Sequence, residues 1–539
     1  MATPVIVSSS TESASRFQHA LRRLGQKPVL LLGLLLAVTL LTRVAYFCVP
    51  LLGHDEPTYA AMAARYLNGG LPYADAVDHK PAGISATYAV VFAFAGIYNI
   101  LAVRLFFVFV IALSGLMLAQ LGRRLLDDDR GWLSGLLYVL FACVGIGSHH
   151  YPPDTELFLN LPLITAALAV HCALEKPSGL LLLTVAGFLT GLAGFYKYQG
   201  AMAGVAWAVA VLYAKRGAHS SLRLLMWRWL ALIVGFAVSA ALYLGFFAWK
   251  GIWSDFLFWG WGFNAKYLST IELRESAWLL VRALLVMGGS WLPLLLCFLV
   301  PHKKHLPGFI WAWLVVMLSV CGLGGRFFYS YFLMALPPLC LLCLPGLLAL
   351  FDGKKGWIPH QLQIMSVLTC LLCTAFALVA VFWIEIAPNQ AVEHKAARAV
   401  SDYLAEHSSP SDRVFVWGAA PEIYVYSKRV IGTRFVFCNY HTGKIWGGHL
   451  TDVDATGTES HIVPLAWTEL LNDLQNNRPL FVVDGARFDR FDRHPVSRYP
   501  QLAEVIEQNY SQVALVSGVP IYRRKDQIGS PSVRPSAQP

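Results

Sequence analysis

Apolar runs long enough to cross a bilayer recur from residue 28 to about residue 386, and this pattern decides the fold class. A spanning helix needs roughly 20 mostly apolar residues, because in hydrocarbon every backbone polar group must be bonded internally. Only 14% of the residues are charged, against about 25% in soluble globular domains. The chain therefore reads as a polytopic α-helical membrane protein. From residue 387 the composition becomes ordinary, with 16 Lys/Arg against 16 Asp/Glu. The net charge of +10 thus lies in the membrane part, where basic residues mark cytoplasmic loops. It gives no reason to expect nucleic acid as a partner.

The distribution of Lys and Arg threads the spans. Arg16, Arg22, Arg23 and Lys27 outweigh Glu12 before the first run, which places residues 1–27 in the cytoplasm. The run from Val29 to about Val49 is too long for a signal-peptide core and reads as a retained span. The stretch Ala82–Leu101 is the ambiguous one. Laid along the outer face as a juxtamembrane helix, it leaves Arg123, Arg124, Arg130, Lys176, Lys215–Arg228, Lys303-Lys304 and Lys354-Lys355 inside. Eleven spans then follow, near 28–49, 102–121, 131–149, 157–174, 179–196, 199–214, 228–249, 277–300, 307–323, 327–348 and 362–386. The C-terminal part comes out extracytoplasmic. Nine of the ten cysteines lie in apolar segments and only Cys438 in the polar part, so no disulfide framework is available there. Cys370 and Cys373, inside an apolar helix, read as packing residues.

The expected organisation is a cytoplasmic segment (1–27), a membrane domain (28–386), a small α/β domain (387–525) and a Ser/Pro-rich tail (526–539). The α/β domain is predicted to carry helices near 391–407, 465–476 and 499–508. Short strands are expected at 413–417, 434–438, 480–484 and 513–523, with a long loop over 441–462.

The chemistry gathers on the outward face. Asp55 and Glu56 directly follow the first span and precede Pro57 and a helical pattern. Either can cap that helix; alternatively, a carboxylate beside a hydroxyl acceptor takes its proton as a general base. Asp78-His79-Lys80-Pro81 opens the surface-lying stretch, with Pro suited to a first helical turn. Lys80 then sits at headgroup depth, where an ammonium pairs with a lipid phosphate, and Asp78 can orient Lys80 or His79. The elbow His149-His150-Tyr151-Pro152-Pro153-Asp154-Thr155-Glu156 offers Asp154 as a second catalytic or acceptor-binding carboxylate, or as a helix cap. His150, Asp154 and Glu156 together could hold a divalent metal ion, although their spacing is not diagnostic. Lys197 stands between spans that otherwise lack charge, a functional position by default. Arg326 lies beside Gly324-Gly325 and the aromatics Phe327, Phe328, Tyr329 and Tyr331, and Arg suits bidentate phosphate recognition. Trp253–Trp261 with Lys266 reads as an interfacial loop. Each basic residue alone could be a snorkelling anchor; their convergence on one face is what points to a site.

At these residues the chain resembles the bacterial relatives of the protein O-mannosyltransferases, including the aminoarabinose transferase of lipid A, within the GT-C glycosyltransferase superfamily. The matching pattern is Asp55-Glu56, Lys80-Pro81, Arg104-Leu105, Asp154 with Glu156, Gly191-Leu192 to Lys197, Arg326 to Leu333 with Pro337-Pro338, and Val416–Tyr424. It departs at Lys80-Pro81-Ala82, where the family often has Lys-Pro-Pro, and in the histidines and prolines that precede Asp154. The resemblance implies an inverting transfer of a sugar from a polyprenyl-phosphate donor to a hydroxyl on an outer-face lipid, polysaccharide or protein. Asp55 is then the base, and Lys80, Lys197 and Arg326 the phosphate ligands. Such an enzyme is expected in a bacterial plasma membrane, with the donor and membrane lipids as partners and no nucleotide. A transporter or lipid flippase is the main rival; a ligase using a lipid-pyrophosphate glycan and a binding protein without turnover are others. A transporter would be expected to carry charges near mid-bilayer and related halves.

Overall fold

The computed structural model describes residues 23–143, 153–213, 221–268, 271–352, 389–444, 458–488 and 491–528. The expected span at 362–386, the Cys370/Cys373 pair, His149 and His150 lie outside the described residues, as does the Lys266 side chain.

Helices dominate the membrane part, and local sequence explains their ends. Pro28 opens Pro28–Thr42 at a position where its missing N–H costs nothing. Asn99 caps Ile100–Leu126, its side-chain oxygen accepting from Ala102 N at 3.1 Å. Arg123 and Arg124 fall in the last turn of that helix, where cations suit the dipole. Ser221 caps Leu222–Trp249 through Leu224 N at 3.2 Å. Among the described residues, four helices are long and apolar enough to cross a bilayer: Ile100–Leu126, Thr155–Leu174, Leu222–Trp249 and Tyr329–Phe351. Leu273–Ser290 and Leu292–Phe298 form a further candidate span bent by 78°. Shorter apolar helices at Pro28–Thr42, Leu180–Tyr196, Tyr198–Tyr213 and Gly308–Cys321 fill the bundle. This is a multi-pass membrane protein. Leu180–Tyr196 and Leu222–Trp249 approach so closely that a Cβ at Gly187 would collide with the Leu232 carbonyl, and one at Gly235 with that of Thr184. Small residues let helix backbones meet in this way.

The ambiguous stretch Ala82–Leu101 breaks in two. Gly83–Ala95 is a helix of 13 residues, which rises about 20 Å, well short of the ~30 Å hydrocarbon core. Gly96 at φ 95° ends it, and the next helix begins at Ile100.

Among the described residues the C-terminal part forms a five-stranded sheet in the order β2-β1-β3-β5-β4. Its strands are β1 (Arg413–Gly418), β2 (Val430–Ile431), β3 (Phe481–Gly485), β4 (Tyr510–Val516) and β5 (Val519–Arg524). β2, β1 and β3 are parallel; β5 pairs antiparallel with both β3 and β4. Helices Asn389–Glu406, Pro464–Asn477 and Pro500–Asn509 occupy the predicted helical stretches. The expected strand at 513–523 is a hairpin, turning at Ser517 and Gly518 with φ of 50° and 77°. Two positive φ values in a two-residue loop match the twist of the flanking strands.

One strand prediction fails. Residues 434–438 form no strand; the edge strand is Val430–Ile431. The backbone at 434–435 is used elsewhere, because Val77 N donates to Arg434 O at 2.8 Å and Val77 bridges Phe435. Arg434 is fixed there by Asp473 at 3.1 Å and Glu469 at 3.0 Å. The sheet domain is thereby tied to the loop that runs from residue 68 to residue 82. Trp259, fully buried, packs its ring 5.6 Å from Phe435 and 5.0 Å from Tyr440 and extends the same junction. The expected loop over 441–462 contains a short helix end (Asn439–Thr442) and a turn (Thr458–His461), and residues 445–457 lie outside the described set.

Candidate active site

The loop that follows the first apolar helix is anchored by a buried ion pair. Glu56 accepts from Arg104 Nε at 2.7 Å and Nη2 at 2.5 Å, and also from Leu52 N at 2.8 Å. Arg104 donates further to Val49 O at 2.7 Å. Both side chains are buried, so Glu56 serves to hold the start of the helix Asp55–Leu67. That leaves its neighbour Asp55 facing the other way, with 41% of its side chain accessible.

Lys80 reaches Asp55. Its ammonium donates to Asp55 Oδ1 at 2.8 Å and to the Tyr59 hydroxyl at 2.9 Å. Burial works against this charge, but Asp55, Tyr59 and Asp78 hold the Lys80 ammonium well above the ordinary lysine range. The loop behind Lys80 is also fixed. Asp78 Oδ1 accepts from His79 N at 2.7 Å and Lys80 N at 3.3 Å. Although burial opposes its charge, those bonds and the His79 ring keep the Asp78 carboxyl below its usual range. Tyr73 OH donates to Lys80 O at 3.0 Å, and Asn264 donates to His79 O at 2.9 Å.

Asp154 caps the helix Thr155–Leu174, accepting from Thr155 N at 2.9 Å. It is buried, and burial together with the nearby Glu156 and Asp55 carboxylates pushes its carboxyl well above the normal range. Glu156, in the first turn, pairs with Lys197, whose Nζ also lies 3.2 Å from the centroid of the Tyr331 ring. Ser330 donates to Glu156 at 3.4 Å. Arg326 is buried and stacks its guanidinium 3.6 Å above the Tyr267 ring; the other face of this corner is the His79 ring, 4.5 Å from Tyr267. The turn that delivers Arg326 needs positive φ at Gly324 (96°) and Gly325 (66°).

Two tyrosines join these groups into one cluster. Tyr267 lies within electrostatic reach of Tyr331, Arg326, Lys80 and Lys197. Tyr331 lies within reach of Glu156, Lys80, Arg326 and Asp154. Asp55, Lys80, Asp154, Glu156, Lys197, Arg326 and Tyr331 are therefore neighbours, although they come from five separate stretches of chain. Sequence reasoning did not single out Tyr59 or Tyr267. Tyr59 was recoverable, since it stands four residues after Asp55 on one helix face; Tyr267 follows Lys266 in an aromatic loop with no distinguishing spacing. Among the described residues no three His, Cys, Asp or Glu side chains converge as metal ligands. Of the three suggested, His150 lies outside the described set and Glu156 is engaged by Lys197.

Residues 79–244 match the family model described as dolichyl-phosphate-mannose-protein mannosyltransferase. The matched segment contains Lys80, Arg104, Asp154, Glu156 and Lys197. The structure is similar to the crystal structure of ArnT from Cupriavidus metallidurans bound to undecaprenyl phosphate. The TM-score is 0.58 at 14% identity, covering 92% of this chain and 97% of that one. The fold is GT-C. An oligosaccharyltransferase from Archaeoglobus fulgidus, in complex with Zn and sulfate, aligns at TM-score 0.47 and 12% identity, over 92% of this chain and 73% of its own. A search of curated protein sequences gave no match. Within this GT-C fold the cluster stands where the loop after the first apolar helix, the helix Gly83–Ala95 and the sheet domain meet.

Proposed function

We propose that the protein is an inverting glycosyltransferase that moves a sugar from a polyprenyl-phosphate donor to a hydroxyl acceptor on the outer face of a bacterial plasma membrane. The observation that carries this reading is the contact of Lys80 with Asp55 at 2.8 Å, in a cluster that also holds Lys197 and Arg326. The family match and the relative bound to undecaprenyl phosphate support it.

Each group has a task the reaction requires. The bond from the anomeric carbon to the donor phosphate breaks, and negative charge builds on the departing phosphate. Lys80, Lys197 and Arg326 are fixed cations that stabilise it without reorganising. A phosphate arriving at Lys80 competes with Asp55 for the ammonium and frees the carboxylate. Asp55 then takes the proton of the acceptor hydroxyl as its oxygen attacks the anomeric carbon. Asp154, with its raised pKa, acts as a hydrogen-bond donor rather than a second base, and Glu156 holds Lys197. Asp78, His79 and Tyr331 orient the cations. The acceptor is a cell-envelope lipid, glycan or protein, and the sugar a hexose or pentose.

The 78° bend between Leu273–Ser290 and Leu292–Phe298 is the feature that would suit a transporter. Reconstituted protein given a polyprenyl-phosphate sugar separates the two readings. Release of free polyprenyl phosphate with a glycosylated acceptor supports transfer; movement of intact donor between leaflets without bond cleavage refutes it. Mass spectrometry of envelope glycolipids from cells with and without the protein identifies the acceptor.

A further inference from the structure

A cavity of about 1060 Å³ lies behind the catalytic loop, lined almost wholly by apolar side chains. Its walls come from the juxtamembrane helix Gly83–Ala95, from Leu192–Tyr196 and from Leu242–Lys250. Ala86, Val90 and Phe94 are exposed along it. Lys80, Lys197 and Arg326 do not line it. The wall towards them is closed: a Cβ at Gly83 would collide with the Phe195 carbonyl, Phe195 stacks on Tyr243 at 4.4 Å, and Thr87 bonds the Tyr196 hydroxyl at 2.9 Å. Among the described residues one charged side chain, Lys250, lines the cavity, and its ammonium stands 4.2 Å from the centroid of the Trp249 ring. It follows the last residue of the helix Leu222–Trp249. An aromatic beside a lysine at a helix end marks the membrane–water interface.

We propose that this cavity is a binding site for an anionic phospholipid, distinct from the donor site, with acyl chain against Ala86, Val90 and Phe94 and headgroup phosphate at Lys250. The hydrocarbon walls require an apolar chain, and the rim cation Lys250 selects a negative headgroup. The closed wall argues against the reacting donor as occupant, since its phosphate belongs among Lys80, Lys197 and Arg326; only this last step rests on the proposed function. Occupancy has a direct route to the catalytic loop. Ala82 N donates to the Tyr243 hydroxyl at 3.2 Å, Tyr243 and Tyr73 hydroxyls lie 3.3 Å apart, and Tyr73 donates to Lys80 O. A filled cavity braces Tyr243 and thereby the backbone that carries Lys80.

Native mass spectrometry of the full chain tests this, with equal amounts of phosphatidylglycerol, phosphatidylethanolamine and undecaprenyl phosphate. Phosphatidylglycerol is expected to be retained over phosphatidylethanolamine. Lys250→Glu is expected to lower that retention about tenfold or more, the scale of removing one basic contact and adding a repelling charge. Ala86→Phe, which puts a ring into the path of the acyl chain, is expected to weaken phosphatidylglycerol retention while undecaprenyl phosphate still binds, so donor binding also reports folding. The Ala82 amide is expected to exchange more slowly in phosphatidylglycerol than in phosphatidylethanolamine. Equal retention of the two phospholipids by the unaltered protein overturns the proposal. So does loss of undecaprenyl phosphate instead of phosphatidylglycerol in either variant, since the cavity would then hold the donor chain.

Discussion

Asp55 and Asp154 are the same side chain in opposed environments. Asp55 is open to the cluster and paired with an ammonium; Asp154 is buried, beside two other carboxylates. A base must be ionised, so the two are expected to separate on removal of charge. Asp55→Asn should lower turnover by about 10²-fold or more, the usual worth of a general base, with binding of undecaprenyl phosphate retained. Asp154→Asn keeps a neutral hydrogen-bonding group of equal size and should retain most of the transfer rate in reconstituted liposomes. A comparable loss in both variants would remove this division of roles. Lys80→Ala and Lys197→Ala should chiefly weaken donor binding, read by titration with undecaprenyl phosphate. Of these residues, Asp55, Lys80, Asp154, Lys197 and Arg326 were legible because they converge on one expected face, although each alone reads as a cap or a snorkelling anchor. Tyr59 and Tyr267 were not, because tyrosine is common at membrane interfaces.

At the level of elements, the start of Asp55–Leu67 depends on Arg104 in the next spanning helix. Arg104→Ala leaves Glu56 buried without its partner, at a cost of about 3–5 kcal/mol. It should lower the thermal unfolding temperature and abolish transfer together, whereas Asp55→Asn should spare stability. The sheet domain carries its own pH dependence. Burial lowers His441 to about 3 and His494 to about 4. Their unfolded-state value is about 6.5, so the unfolded chain binds more protons between these limits. Stability contributed by the neutral rings is complete above about pH 6.5 and falls as pH drops towards 4 and then 3. Asp484 and Glu469, raised by burial, oppose this, and His394, lowered by burial, adds to it. Trp417 and Trp467 flank His441 at 5.8 and 5.1 Å. Tryptophan fluorescence of the intact protein, titrated with denaturant at pH 7 and pH 4.5, should show a lower midpoint at the acid end. Helices and β1, β3 were readable from periodicity; the misplaced edge strand was not, because Phe435 looks equally fit for a strand and for the bridge it makes to Val77.

For the whole molecule, the junction between membrane part and sheet domain is an aromatic stack. Trp259 sits among Phe263, Phe435 and Tyr440. Trp259→Ala should cost about 3–5 kcal/mol as a buried large-to-small change. The loosening should appear as faster hydrogen exchange over residues 71–82 and a lower transfer rate, with the helix Thr155–Leu174 unchanged. Uniform destabilisation of the whole chain would instead show that the two parts unfold as one unit.

The amino-acid sequence by itself determined the membrane class, the approximate place of most helices and the small α/β part, since apolar run length and charge placement act locally. It also determined which charges were out of place, because desolvation makes such charges costly wherever the chain goes. Only tertiary structure decided that Glu56 is spent on Arg104 while Asp55 pairs with Lys80. Only there do Tyr267 and Tyr331 bridge three cations, and the sheet domain closes on Val77. Those outcomes depend on contacts between residues tens to hundreds of positions apart, and no local pattern in the chain encodes such distances.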